Sequence, residues 1–331
     1  MERLPVFDLE RTASLARAIE LLAANPSARP IAGGTDLVPN LRHGLDTPAV
    51  LVDVSCLDGA DVLDVYGAGA RIGAGVTLER LASDPRVAAA LPAVAQAAAS
   101  IAAPGHRSVG TVGGNLCVDT RCVWYNQSEW WRRSNGYCLK RGGEVCHVAP
   151  QGNRCHAAFS GDLAPALIAC GASVEIAGPR GTRTIALEDL YRDDGRAYLA
   201  LEPAELLVAV VVPAQPRGAR SAYRKARMRG AIDFPLAGVA VRLALRAGAV
   251  EHLDIAVTGA ASRPFRLEGS AAWRGRPVDD ALAGEVGKAV QKQCSPMRTT
   301  LASAHWRRQV AAVHAQRLLR ELGSDAARDA R

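Results

Sequence analysis

Long apolar runs, aromatic rings and familiar nucleotide fingerprints are all scarce in this 331-residue sequence. The longest uncharged stretch, Val87 to Gly105, is interrupted by Pro92, Gln96, Ser100 and Pro104, so it reads as a buried helix and turn, not a membrane span. The N-terminal MERLPVFDLERTAS has no apolar signal-like core, and the expected location is the cytoplasm. Neither G-x-G-x-x-G nor a Walker A pattern occurs, which disfavours a nicotinamide-type Rossmann site and a P-loop ATPase. The net charge of +7, from 40 basic and 33 acidic side chains, comes without a nucleic-acid recognition motif. No solenoid repeat is evident. At 49% hydrophobic and 22% charged residues, the composition is ordinary and excludes disordered, collagenous or disulfide-stapled classes.

What is present begins with alternating helix and strand patterns. Thr12 to Asn25 reads as an amphipathic helix capped by Thr12 or Ser14, and Arg29 to Ala32 as a strand running into Gly33-Gly34-Thr35-Asp36. Strands are expected at Val50–Val54 and Arg71–Gly75, then a turn of helix capped by Thr77 and an alanine-rich helix over Ala88–Ile101. Past Asp162 come a helix at Leu163–Ala169, a hairpin across Pro179-Arg180-Gly181 and an apolar strand at Glu205–Val212. The Pro/Gly-rich PAQPRGA then places a domain boundary near residue 216, dividing 1–216 from 217–331. Three further strands and two helices are expected, ending in a frayed tail, SDAARDAR.

Residues 121–159 stand apart. They hold six of the fifteen aromatics yet show neither helical nor strand periodicity, so the segment reads as an insertion folded around something. Their six basic and two acidic residues make either a solvated basic surface or a docking face for an acidic partner. Cys122, Cys138, Cys146 and Cys155 follow the spacing C-x15-C-x7-C-x8-C, which is neither a zinc ribbon nor a ferredoxin run. Three readings stay open: an iron–sulfur cluster, a structural zinc drawing on Cys117, His147 or His156, or free thiols. Disulfides are not expected in a reducing compartment. Cys56, Cys170 and Cys294 read as packing residues.

A diphosphate needs backbone amides converging at close range, and Gly33-Gly34-Thr35 and Gly113-Gly114-Asn115 each offer a set. Two tight turns would leave the same pattern. The segments IAGGTDLVPNL, VGTVGGNL and GDLAPALIACGA together resemble the FAD-binding subunit of the xanthine oxidase family of molybdenum hydroxylases. In most members GGNL is followed almost directly by the Asp-containing segment, whereas here Asn115 and Asp162 are separated by the cysteine insertion. That insertion is similar to the one in the beta subunit of 4-hydroxybenzoyl-CoA reductases, and the likeness runs nearly the whole chain.

The resemblance implies an α+β fold: a two-part FAD-binding domain with the inserted loop at 121–159, then a smaller domain of three strands plus helices. It implies FAD contacts at Ala32, Gly33, Gly34, Thr35, Asp36, Thr111, Gly113, Gly114 and Asn115. Asp162 would lie on the ribityl or adenosine side and Lys225 near the isoalloxazine. A 4Fe-4S cluster would sit on Cys122, Cys138, Cys146 and Cys155, with Cys117 a bystander. The implied partners are a ferredoxin donor, a small 2Fe-2S subunit and a large molybdenum-cofactor subunit, in a dimer of heterotrimers. The substrate site, for an aromatic acyl-CoA, is then expected on another subunit.

Overall fold

Three sheets organise the chain in the computed structural model, which describes residues 3–329. The first is parallel, with Val50–Asp53 between Asp8–Arg11 and Arg29–Ile31. Helix Leu15–Ala24, whose N-cap Ser14 accepts the Arg17 N–H, buries Ala18 and Leu22 beside Val52 of this sheet. The second sheet is antiparallel, in the order Leu63–Tyr66, Gly69–Gly73, Leu206–Val212, Ser173–Gly178, Gly181–Ala186. The main core packs it against helices Pro92–Ser100 and Leu163–Ala169.

The third sheet runs Phe265–Arg266, Ala249–Thr258, Ala237–Arg246, Arg220–Ala226, all antiparallel. Side chains alternate across a strand. Val239, Val241 and Leu243 therefore face helices Asp280–Gln293 and Ala304–Asp329, while Ala240, Ala256 and Tyr223 join the core of the preceding sheet. Burial on both faces explains why these strands read as nearly continuous apolar runs. The fourth strand, two residues long, is one more than expected.

Other expectations needed adjustment. The single helix expected at Ala88–Ile101 is two, Pro85–Ala90 and Pro92–Ser100, because Pro92 lacks an N–H and starts a new helix at its first position. The tail expected to fray continues as helix to Asp329, and its last two residues lie outside the described range. No helix of the described residues is long and apolar enough to cross a membrane. Cys170 and Cys294 are buried as packing residues, but Cys56 is exposed.

The insertion is closed at its base by a reciprocal pair, Arg121 N–H to the Ala158 carbonyl and Ala158 N–H to that of Arg121, both 2.8 Å. Inside it lie a short helix, Glu129–Ser134, capped by Ser128, and a single turn at Leu139–Arg141. Val123 N–H donates to Thr299 and the Cys155 carbonyl accepts from Gly195, which seats the loop on the body of the protein.

Candidate functional site

At the end of Arg29–Ile31 the chain turns through Ala32, Gly33, Gly34 and Thr35 into helix Leu37–Arg42. Gly34 has φ +69°, a conformation that glycine adopts without strain. A Cβ on Gly33 would run into the Val109 carbonyl and come within 2.9 Å of Gly110 N, so the two glycine segments meet backbone to backbone. Among the described residues no acceptor meets the N–H of Gly33, Gly34 or Thr35. Thr35 is exposed. Open amides at an accessible turn fit a diphosphate.

The second segment differs, and the expectation of a second set of free amides is corrected here. Gly113 N–H donates to the Ala74 carbonyl at 2.8 Å, Gly114 N–H to Thr111 Oγ1 at 3.1 Å and Asn115 N–H to the Thr111 carbonyl at 2.9 Å. Thr111, at the start of helix Val112–Leu116, takes the last two, and packing against Ala74 takes the first. Gly114 remains exposed, and a Cβ there would meet only the Thr111 hydroxyl, at 3.2 Å. The segment thus offers close approach instead of donors. Asn115 Oδ1 accepts the Leu163 N–H at 3.1 Å, tying the turn to the helix that follows Asp162.

Asp36 and Asp162 are both engaged within the protein. Asp36 pairs with Arg121 and accepts the Asp119 N–H at 3.2 Å. The Arg121 guanidinium lies 4.5 Å from the Phe234 ring centroid, and burial pulls its pKa down to about 10. Asp162 accepts from Lys225 Nζ at 3.0 Å and from the Tyr223 hydroxyl at 2.7 Å, in a buried cluster that Lys225 extends to the Ser100 carbonyl. Burial pushes the Asp162 carboxyl up, against the opposing pull of the Lys225 ammonium. Tyr223 was missed in the sequence, although its place two residues before Lys225 on one strand puts both on one face. Also missed were Tyr191 and Tyr198, whose hydroxyls donate to the Leu116 and Cys117 carbonyls and fix the end of the second glycine segment.

Cys122, Cys138, Cys146 and Cys155, all buried, line one small cavity with Trp124, Tyr125, Lys140 and His147. Three of the four open turns. The Cys122 carbonyl accepts from Tyr125 and Asn126, that of Cys138 from Arg141 and Gly143, and that of Cys146 from Ala149. The Ala157 N–H points at Cys155 Sγ, 3.4 Å away. Burial pushes the Cys122 thiol up to about 11 and the Cys155 thiol up to about 12, so without a metal these two are protonated. Cys117 and His156 do not line the cavity, and His147 Nε2 is engaged with the Tyr137 carbonyl at 2.7 Å. Among the described residues, no group of three or more His, Cys, Asp or Glu side chains is arranged to hold a metal ion. A single tetrahedral zinc, with Zn–S bonds of about 2.3 Å, needs four sulfurs drawn tightly together.

Neither expected form of the basic surface is what the insertion builds. Arg121 pairs with Asp36, Lys140 with Asp119 and Arg154 with Asp193. Arg132 is fully buried, paired with Glu129 and donating to the carbonyls of Gln127, His43 and Gly44, while Arg141 donates to that of Gly44. Most of the positive charge is turned inward as bracing.

This combination of folds and sites is that of a flavoprotein component. Residues 5–215 match the family model for the FAD binding domain in molybdopterin dehydrogenase, and residues 221–322 that for the CO dehydrogenase flavoprotein C-terminal domain. The chain belongs to this family: it is an FAD-binding oxidoreductase subunit of the molybdenum hydroxylases. It is 34% identical over 313 residues to the aldehyde oxidoreductase FAD-binding subunit PaoB of Escherichia coli, covering 90% of this chain and 91% of that one. It is 31% identical over 300 residues to the carbon monoxide dehydrogenase medium chain of Afipia carboxidovorans, covering 90% of this chain and 86% of the relative. Among solved structures, reconstituted CO dehydrogenase from Oligotropha carboxidovorans superposes with a TM-score of 0.80 at 26% identity, over 97% of this chain and 99% of that one.

Proposed function

We propose that this chain is the FAD- and 4Fe-4S-carrying subunit of a 4-hydroxybenzoyl-CoA reductase-like complex. The observation that carries this reading is the convergence of Cys122, Cys138, Cys146 and Cys155 on one small cavity, inside an insertion attached to the flavoprotein fold. Thiolate donors suit iron–sulfur chemistry. The inward-turned Lys140 supplies a positive charge beside the chamber, favourable to an anionic cluster.

The division of labour follows from the residues. Ala32, Gly33, Gly34, Thr35 and Asp36 would receive the FAD diphosphate and ribose through open amides, with Thr111, Gly113, Gly114 and Asn115 giving close approach on the opposite side. Asp162 and Lys225, ion-paired directly with Tyr223 donating to the carboxylate, would form the rigid floor beneath the ribityl chain and ring. Bound FAD supplies the exchange between one-electron and two-electron chemistry. Residues 1–216 would make the flavin domain and 217–331 the second domain, with no catalytic side chain of their own.

The wider complex we propose is cytoplasmic, with a large molybdenum-cofactor subunit, a small 2Fe-2S subunit and ferredoxin as electron donor, in a dimer of heterotrimers. It would remove the phenolic hydroxyl of an aromatic acyl-CoA reductively. The test is turnover by the intact complex, purified without oxygen and supplied with a reduced low-potential one-electron donor. Dehydroxylation of 4-hydroxybenzoyl-CoA is the expected result. Activity confined to hydroxylation of aldehydes or heterocycles, with no acyl-CoA reduction, would replace this reading with another molybdenum hydroxylase.

A further inference from the structure

Lys140 sits between the two candidate cofactor sites. Its side chain is only 6% exposed and lines the cysteine chamber, yet its Nζ donates to Asp119 Oδ1 and Thr120 Oγ1, both at 2.5 Å. The ammonium also lies 4.3 Å from the Tyr125 ring centroid, and Tyr125 is itself a wall of the chamber. Asp119, in turn, donates its backbone N–H to Asp36 at 3.2 Å, directly after the first glycine turn. Three residues, Lys140, Asp119 and Asp36, therefore join the sulfur chamber to the open amides. Of the ion pair, Lys140 lines the chamber and Asp119 does not. The Asp119 carboxylate lies next to both Lys140 and Tyr125, and Asp36 carries the acidic group after the glycine turn.

Resting on the cluster reading above, we infer that Lys140 is a positioning and tuning residue. Its buried charge sets how readily the cluster in the cysteine chamber accepts an electron, and Asp119 limits that effect. Adding an electron makes the cluster more negative, and a fixed cation at its wall favours that state. In a buried setting a unit charge acts over such distances far more strongly than it would in water. Removing it should therefore favour the oxidised cluster roughly tenfold, a fall of ~59 mV for a one-electron couple. Taking away the Asp119 carboxylate instead leaves the cation unopposed, and the shift should reverse.

The experiment is an EPR-monitored redox titration of the cluster in the intact, anaerobically purified complex, comparing wild type with Lys140→Gln, Lys140→Arg and Asp119→Asn. The expected result is a lowered potential in Lys140→Gln, a raised one in Asp119→Asn, and a value close to wild type in Lys140→Arg. A merely structural brace would move the Gln and Asn variants in the same direction, and that outcome, or no movement in either, overturns the inference while leaving the cluster in place. Should Lys140→Gln lose its iron, the sign of the Asp119→Asn shift decides. Wild-type protein without an iron signal would overturn the cluster reading, and this inference with it.

Discussion

The glycine junction and the cysteine chamber are built by opposite means. At the junction, backbone atoms do the work: Gly33 packs against the Val109 carbonyl, and the amides of Gly33, Gly34 and Thr35 are left without acceptors. In the chamber, side chains do the work, with four buried sulfurs walled by aromatic rings on a loop closed by Arg121 and Ala158. The first kind of site is fixed by sterics and exists before its ligand arrives. The second encloses groups that must lose protons to bind a metal, so its ligand completes it.

That contrast makes the two sites separable by substitution. The largest effect is expected from Cys138→Ala, which should remove nearly all of the iron, from about four per chain to fewer than one. Flavin absorbance should persist, and parallel loss of flavin would show that the sites are one unit. Gly33→Ala should do the reverse. The added methyl collides with backbone, not with a side chain that could swing away. Flavin content should fall at least tenfold, with a stability loss on the order of 3 kcal/mol for the overpacking, while iron is retained.

Arg132→Met tests whether the insertion is braced from within. It removes a fully buried guanidinium that holds three backbone carbonyls as well as Glu129. A destabilisation of about 3 kcal/mol in chemical denaturation is expected. A loss below about 0.5 kcal/mol would return Arg132 to the class of surface charges. The smallest effect belongs to Thr111→Ala. Loss of the cap on Gly114 should cost about 1 kcal/mol, with flavin binding weakened far less than by Gly33→Ala, because the second glycine segment contributes space and not donors. Equal losses of flavin affinity in the two variants would remove the distinction between the segments.

Much of this was legible in the sequence where a local rule acts alone. The helix Leu163–Ala169 and the glycine turn after Arg29–Ile31 appear where pattern and turn chemistry placed them. Strand Asp8–Arg11 was not foreseen, because every one of its residues is exposed and no alternation marks it. The six-residue helix Glu129–Ser134 is too short to show a period. Charge counting reported the excess in the insertion but not its direction. Whether Arg132 or Lys140 faces water depends on carbonyls and carboxylates far along the chain, such as His43 and Gly44 for Arg132. The same limit hid the spent amides of Gly113 and Asn115, whose acceptors Ala74 and Thr111 are set by tertiary packing and by capping.

The central claim is that one polypeptide carries both a flavin and a four-iron cluster. Metal and flavin analysis of the complex isolated without oxygen tests it directly, using Cys138→Ala as the reference for cluster loss. One FAD and about four irons per copy of this chain, beyond those of the other subunits, is the predicted result. One FAD with zinc in the chamber, or with iron content identical in wild type and Cys138→Ala, would contradict it.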